Sequence, residues 1–281
     1  MEKLPISVVI VAKNAESTLT DCLNSVIHNN PAEIIVIDGN STDNTVNIAK
    51  KYTDLIYSDN CRGLCYARQL GAEKAKQEYI AYVDADIIFL NDNALSTMLN
   101  EFKGMGFVSI RAQETRKRNY ASYWEWGQSQ QLYYSRLRNR QDYLSTMACI
   151  IRKEIVLKYK FDTEEKFMDD LDLGMRLAKA GYKFGTSTVF VDHRHNSRIT
   201  FKSFFRYQCH LGWVAWQYIR KHGFWHISLW APAVSLYWLL FFLLKLNIKI
   251  IPYIIIQAIA YNTGWFKGLF DIIKENFKIT K

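Results

Sequence analysis

Three short apolar runs, Ile6–Ala12, Ile34–Ile37 and Ile80–Val83, punctuate the first third of the chain, each rich in Val, Ile or Ala and between four and seven residues long. Continuous apolar runs of that length predict strands buried on both faces. Between them Ser17–His28, Thr45–Tyr52 and Tyr66–Lys76 place apolar residues at helical spacing, with alanines supporting the last. The order β-α-β-α-(β)-α-β predicts an α/β fold with a mostly parallel, Rossmann-like sheet flanked by helices. Further on, Asp169–Ala180 reads as a helix with an acidic start, Arg176 and Lys179 in its last turns and a stop at Gly181. Thr188–Asp192 predicts one more strand.

Beyond residue 200 the pattern changes. His222–Leu244 carries no Lys, Arg, Asp or Glu over 23 residues, and Ile250–Phe266 carries none over 17. At about 1.5 Å per residue the first run reaches bilayer thickness and the second approaches it, which predicts a C-terminal apolar helical hairpin. Lys245 and Lys249 separate the runs, whereas Arg220, Lys221, Lys267, Lys274, Lys278 and Lys281 lie outside them. The positive-inside count puts both outer ends in the cytoplasm; a re-entrant or interfacial pair is the rival arrangement. The opening residues Met1–Pro5 lead straight into the first strand with Lys13 behind it, so no cleavable leader is expected and the N-terminus is expected to stay cytoplasmic.

Charge sharpens this division. The net +9 is entirely C-terminal, because residues 1–193 sum to −1 and residues 194–281 to +10. Basic excess confined to the most apolar segment points to an anionic membrane surface and not to nucleic acid. The division expected is an α/β domain over 1–200, an amphipathic segment over 201–226 and a membrane-associated hairpin with a basic tail over 227–281. The stretch Arg116–Asp142 interleaves Arg and Lys with Tyr and Trp, which fits either an interfacial helix or binding rim, or a solvated helix with a half-buried aromatic face. Five cysteines with no CxxC pair argue against a disulfide framework or a structural zinc site.

The chemistry lies in carboxylates at strand ends. A Walker loop, a GxGxxG turn, HExxH and GxSxG are all missing, so the usual signatures of ATPases, dinucleotide dehydrogenases, zinc proteases and α/β-hydrolases are absent. Asp84-Ala85-Asp86 follows the run Tyr79–Val83, at the carboxyl edge where open α/β sheets bind ligands. Two acids at i and i+2 share one side of an extended chain, and one can reach a ribose or base while the other takes a divalent cation.

Four segments then carry a resemblance. Ser7–Glu16, Ile34–Thr45 with its Asp38-Gly39-Asn40-Ser41-Thr42-Asp43 loop, Ala67-Arg68-Gln69-Leu70-Gly71 followed by Tyr79–Asp86, and Asp169–Leu177 occur in the order found in the GT-A glycosyltransferases of family 2. That family moves a sugar from a nucleotide-sugar. The resemblance covers about residues 5–195 and implies that Ala12, Asn14, Glu16 and Asp38 surround the base and ribose, with Arg68 nearby. It implies further that Asp84 faces the nucleoside, that Asp86 binds Mg²⁺ or Mn²⁺ on the diphosphate, and that Asp170 is the general base of an inverting transfer. His193, and after it His195, stands where similar transferases place a further metal or diphosphate ligand. The implied partners are a UDP- or GDP-sugar and, given the basic apolar C-terminus, a lipid-linked or glycolipid acceptor at the membrane.

Some positions depart from the family pattern. Lys13 stands where an aromatic residue often stacks on the base, Gly39 where a second acid is common, and Asp169 where Glu is usual. The Gln-x-x-Arg-Trp segment of processive synthases has no arginine in the nearest stretch, Arg206–Trp213, which favours single transfer over polymer extension. A short processive synthase and a catalytically silent nucleotide-binding scaffold are the alternatives.

Overall fold

The computed structural model describes residues 3–115, 120–138, 144–164, 169–194, 199–223 and 231–279. It divides into two compact units, Met1–Arg118 with Tyr133–Arg194, and Asn119–Leu132 with His195–Lys281.

The first unit is built on strands β1 (Leu4–Ala12), β2 (Pro31–Asp38), β3 (Ile56–Ser58), β4 (Tyr79–Asp84), β5 (Ile87–Phe89), β6 (Ser109–Glu114), β7 (Ala148–Arg152) and β8 (Phe184–His193). They form one sheet in the order β3-β2-β1-β4-β7-β6-β8-β5. Strands β1 to β4 run parallel, as the sequence predicts. The other half corrects the mostly parallel expectation: β7 is antiparallel to both β4 and β6, and β5 is antiparallel to β8, so the sheet is mixed. Apolar run length marks a strand as buried but carries no direction, and β5 to β7 are too short to announce a crossover.

Side chains alternate through the sheet into two cores. Ile6, Val8, Ile10 and Ala12 of β1 enter one, while Val9 enters the other with Ile35 and Ile37. Helices α1 (Leu19–His28), α2 (Thr45–Ala49) and α4 (Ala94–Met105) cover the first face; α3 (Leu64–Lys74), α6 (Lys153–Tyr159) and α7 (Asp169–Lys179) cover the second. Helix α3 approaches closely because Gly71 faces Val9: a Cβ at that position would lie 2.3 Å from Val9 Cγ1.

The second unit contains the first turns of α5 (Tyr123–Arg138) together with α8 (Phe201–His222), α9 (Ala231–Leu244) and α10 (Ile251–Ile279). Helices α8 and α10 meet backbone to backbone at small residues, since a Cβ on Gly264 would fall 1.7 Å from Cys209 O and one on Gly212 2.0 Å from Tyr261 O. Tyr123, Trp124 and Trp126 pack within this unit, Trp124 stacking on Phe204 with ring centres 5.1 Å apart. The aromatic half of the Arg116–Asp142 stretch is therefore used for packing; Arg116, Lys117, Arg118 and Arg140 lie outside the described residues.

The expected membrane-crossing hairpin is not found. No helix among the described residues is long and apolar enough to cross a membrane. Helix α8 ends at His222, capped by Gly223 with φ of 83°, and the described residues of the first charge-free run form α9 from Ala231. In α10 the apolar run is broken by Gln257, Asn262 and Thr263, and the amide of Asn262 donates to Ser235 Oγ of α9 at 2.9 Å.

Candidate active site

At the carboxyl edge of the parallel strands, β1 and β2 end side by side, Ala12 in register with Asp38 and accepting from the Gly39 amide at 2.8 Å. The loops that follow clasp each other. Asn14, held at φ of 50°, receives the Thr42 amide on Oδ1 at 2.9 Å, while its own amide donates to Ser41 Oγ at 2.9 Å. Glu16 accepts from the Asn44 amide at 3.1 Å, and the Glu16 amide donates to Asp43 at 3.2 Å. Asp38 accepts the Ser41 amide on its carboxylate at 3.2 Å. Asn14, Glu16 and Asp38 thus lie together, and their carboxyl and amide groups hold the two loops in a fixed shape.

Strand β4 delivers Asp84 and Asp86 to the same edge. The amide of Asp84 donates to Met147 O at 2.8 Å, because antiparallel β7 begins where β4 ends. Arg68, buried on α3, reaches across to Asp84 Oδ1 with one guanidinium nitrogen at 2.7 Å and to the buried Asp169 with the other. Thr146 Oγ1 also donates to Asp169, at 3.4 Å. A single cation therefore joins Asp84 to the first residue of α7, and Asp170 follows half-buried in the same turn.

These charges set the local acidities. Burial pushes the Asp84 carboxyl above its ordinary value, Arg68 opposes the rise and the neighbouring Asp86 adds to it. Burial likewise raises Asp170, against the charge of Arg68 and the backbone amides around its carboxylate. A buried carboxylate with a raised pKa is a stronger proton acceptor than one in water.

On the other side of Asp84-Ala85-Asp86, β8 pairs with β5 so that His193 lies opposite Ile87, and the Arg194 amide donates to Asp86 O at 2.9 Å. His193 Nε2 then stands 3.3 Å from Asp86 Oδ1, with Glu114 3.8 Å from the other ring nitrogen. No group of three His, Cys, Asp or Glu suited to a metal is present among the described residues. The Asp86–His193 pair nevertheless fits a divalent cation of the Mg²⁺ or Mn²⁺ type, which takes one or two protein donors and completes its shell with diphosphate oxygens and water. His195 lies outside the described residues.

Residues 7–161 match the profile of glycosyl transferase family 2, more than half of the chain. The chain belongs to this family. Among curated proteins it is similar to 4,4'-diaponeurosporenoate glycosyltransferases of Staphylococcus aureus, at 29% identity over 128 residues, 42% of this chain and 34% of theirs. The match thus spans about a third of the length of those relatives. In structure it is similar to the mannosyltransferase PcManGT of Pyrobaculum calidifontis in complex with GDP-Man and Mn²⁺, with a TM-score of 0.69 at 15% identity over 96% of this chain and 88% of that one. It is also similar to glucosyl-3-phosphoglycerate synthase of Mycobacterium tuberculosis with Mn²⁺ and UDP, with a TM-score of 0.51 at 18% identity over 68% and 72%. These likenesses establish the GT-A fold.

Against this family frame, Ala12, Asn14, Glu16, Asp38, Arg68, Asp84, Asp86, Asp170 and His193 all come to one sheet edge. Three further residues, Glu114, Thr146 and Asp59, escape a reading by motif. Glu114 closes the run Ser109–Glu114 just as Asp84 closes Tyr79–Asp84, an acid at a strand end that the same rule could have found. Asp59 accepts the Cys61 and Gly63 amides at 2.8 and 3.1 Å and so shapes the entry to α3, which carries Arg68. Arg176 is structural, pairing with Asp172 at 2.7 Å and donating to Lys160 O at 2.6 Å. No disulfide joins the cysteines.

Proposed function

We propose that this chain is an inverting, divalent-metal-dependent glycosyltransferase that moves a sugar from a UDP- or GDP-sugar to a lipid-linked or glycolipid acceptor at the cytoplasmic face of a membrane. The observation that carries this reading is the Arg68 bridge between Asp84 and Asp169, which sets the acids of the D-x-D edge beside the acidic turn holding Asp170. The clasped loops around Asn14 and Asp38 offer the nucleoside a preformed seat, so little ordering entropy is lost on binding. Asp86 and His193 would hold Mg²⁺ or Mn²⁺, which supplies neutralisation of the leaving diphosphate.

Asp170 takes the proton of the acceptor hydroxyl as that oxygen bonds to the anomeric carbon. The bond from that carbon to the diphosphate oxygen breaks on the opposite side, the electron pair leaves with the nucleoside diphosphate, and configuration inverts. The lipid acceptor is supported by the +10 charge of residues 194–281 combined with their apolar helices. Retention of Asp84, Asp86 and Asp170 together argues against a silent scaffold.

The test is calorimetry of UDP and GDP binding with and without Mn²⁺. Micromolar, metal-dependent preference for one nucleotide is the expected result; binding of neither to the folded protein would overturn the reading.

A further inference from the structure

Strands β6 and β8 run parallel, and the two antiparallel steps from β4 through β7 to β6 bring their carboxyl ends to the same edge as Asp84 and Asp86. On the face these strands turn to the first core, Ile110 and Ala112 of β6 and Val189 and Val191 of β8 are buried apolar residues. Side chains recur on one face at every second position, so the next residue on that face is Glu114 in β6 and His193 in β8. The apolar packing ends at two polar side chains.

The backbone holds both in place. The Thr115 amide donates to Val191 O at 2.8 Å and ties the end of β6 to β8, while the Arg194 amide donates to Asp86 O at 2.9 Å and ties the end of β8 to the D-x-D turn. Between these bonds the His193 side chain is 10% exposed and that of Glu114 6%. A carboxylate buried to that degree is costly unless a donor or a cation faces it. Glu114 Oε1 lies 3.8 Å from His193 Nδ1, whereas Asp86 Oδ1 lies 3.3 Å from Nε2. The two acids address opposite nitrogens of one ring.

Imidazole ligates a cation through a nitrogen that carries no proton, so a ring offering Nε2 keeps its proton on Nδ1 and needs an acceptor there. Two donors at adjacent corners of an octahedral shell with bonds of about 2.1 Å lie about 3.0 Å apart, close to the 3.3 Å between Asp86 and His193. Glu114 faces the nitrogen turned away from such an ion.

We propose that Glu114 is a positioning residue for the divalent cation: it accepts the Nδ1–H of His193 and so holds the ring with Nε2 presented beside Asp86. The inference rests on the reading of Asp86 and His193 as the metal pair and adds to it the group that orients the histidine.

The experiment is titration of Mn²⁺ into the full chain with UDP present, and again with GDP, the free ion being followed by electron paramagnetic resonance, for the wild type, Glu114→Ala and Glu114→Gln. The glutamine variant keeps an acceptor oxygen at the same reach. Glu114→Ala is expected to weaken Mn²⁺ binding about 10- to 100-fold and Glu114→Gln only slightly, with metal-free nucleotide binding unchanged in both. In a His193→Ala background Glu114→Ala is expected to cost nothing further, because its effect runs through the ring. If thermal melts show Glu114→Ala unfolded, Glu114→Leu, which fills the space without an acceptor, takes its place. The proposal is overturned if the variant without an acceptor holds Mn²⁺ as tightly as the wild type, if Glu114→Gln is as weak as that variant, or if the losses at Glu114 and His193 simply add. Failure of the metal reading looks different: the wild type then takes up no Mn²⁺ with either nucleotide, and the proposal falls with it.

Discussion

Asp170 occupies a position that costs the fold stability. A carboxyl whose pKa is higher in the folded than in the unfolded chain binds more protons when folded, so stability falls as pH rises above the ordinary carboxylate value near 4. Asp170→Asn removes that cost. The variant is expected to lose about 10²- to 10⁴-fold in turnover with donor affinity nearly unchanged, and to melt at a higher temperature than the wild type at pH 7. The gap in melting temperature should close as pH drops through 4, which calorimetric scans across pH will check. Arg68 behaves in the opposite sense. Arg68→Met leaves Asp169 buried without its cation, and the expected loss is about 3 kcal/mol, read from denaturant midpoints at neutral pH. At this scale the positions of Asp84, Asp86 and Asp170 at strand and helix ends were legible in the sequence, while their roles were implied only by the resemblance. That Arg68 ties two of these regions together was not legible, because residues 68 and 169 are 101 positions apart and no local pattern encodes their meeting.

The elements that could be read in advance are those whose core positions repeat. Strands β1, β2 and β4 are runs of Val, Ile and Ala, and α1, α3 and α7 show helical spacing, so each falls within a few residues of its expected span. Strands β6 and β7 went unread: Ser109–Glu114 mixes polar and apolar residues, whereas Ala148–Ile151 is an apolar run as long as Ile80–Val83 that the same rule could have found. Chain direction lay beyond local pattern altogether. The Ala67–Gly71 motif acquires a physical meaning in the structure, because its glycine lets α3 settle on β1 at the height that carries Arg68 to Asp84. Gly71→Ala is expected to destabilise by about 1–3 kcal/mol, with donor affinity falling as α3 is pushed outward. Equilibrium unfolding and nucleotide titration on the same preparation will separate the two effects.

For the whole molecule, the excess of basic residues lies in 194–281, and the structure has two compact units. Among the described residues no helix bears out a spanning hairpin: α8 ends at its Gly223 cap, at the very start of the first charge-free run, and Gln257, Asn262 and Thr263 put polar side chains into the second. The first unit depends on its latest strand. β8 lies between β6 and β5, and β5 has no other partner among the described residues. A chain ending at residue 182 is therefore expected to lose its cooperative melt and its metal-dependent nucleotide binding, which scanning calorimetry and titration can establish.

The position of β8 also bears on how the protein is made. As the chain leaves the ribosome, the parallel strands β1 to β4 emerge first, yet β5 must wait about a hundred residues for its neighbour, and Asp86 waits as long for His193. Throughout that interval the nascent protein has an open sheet edge next to an incomplete site. Synthesis and catalytic competence are thus separated in time by the fold itself.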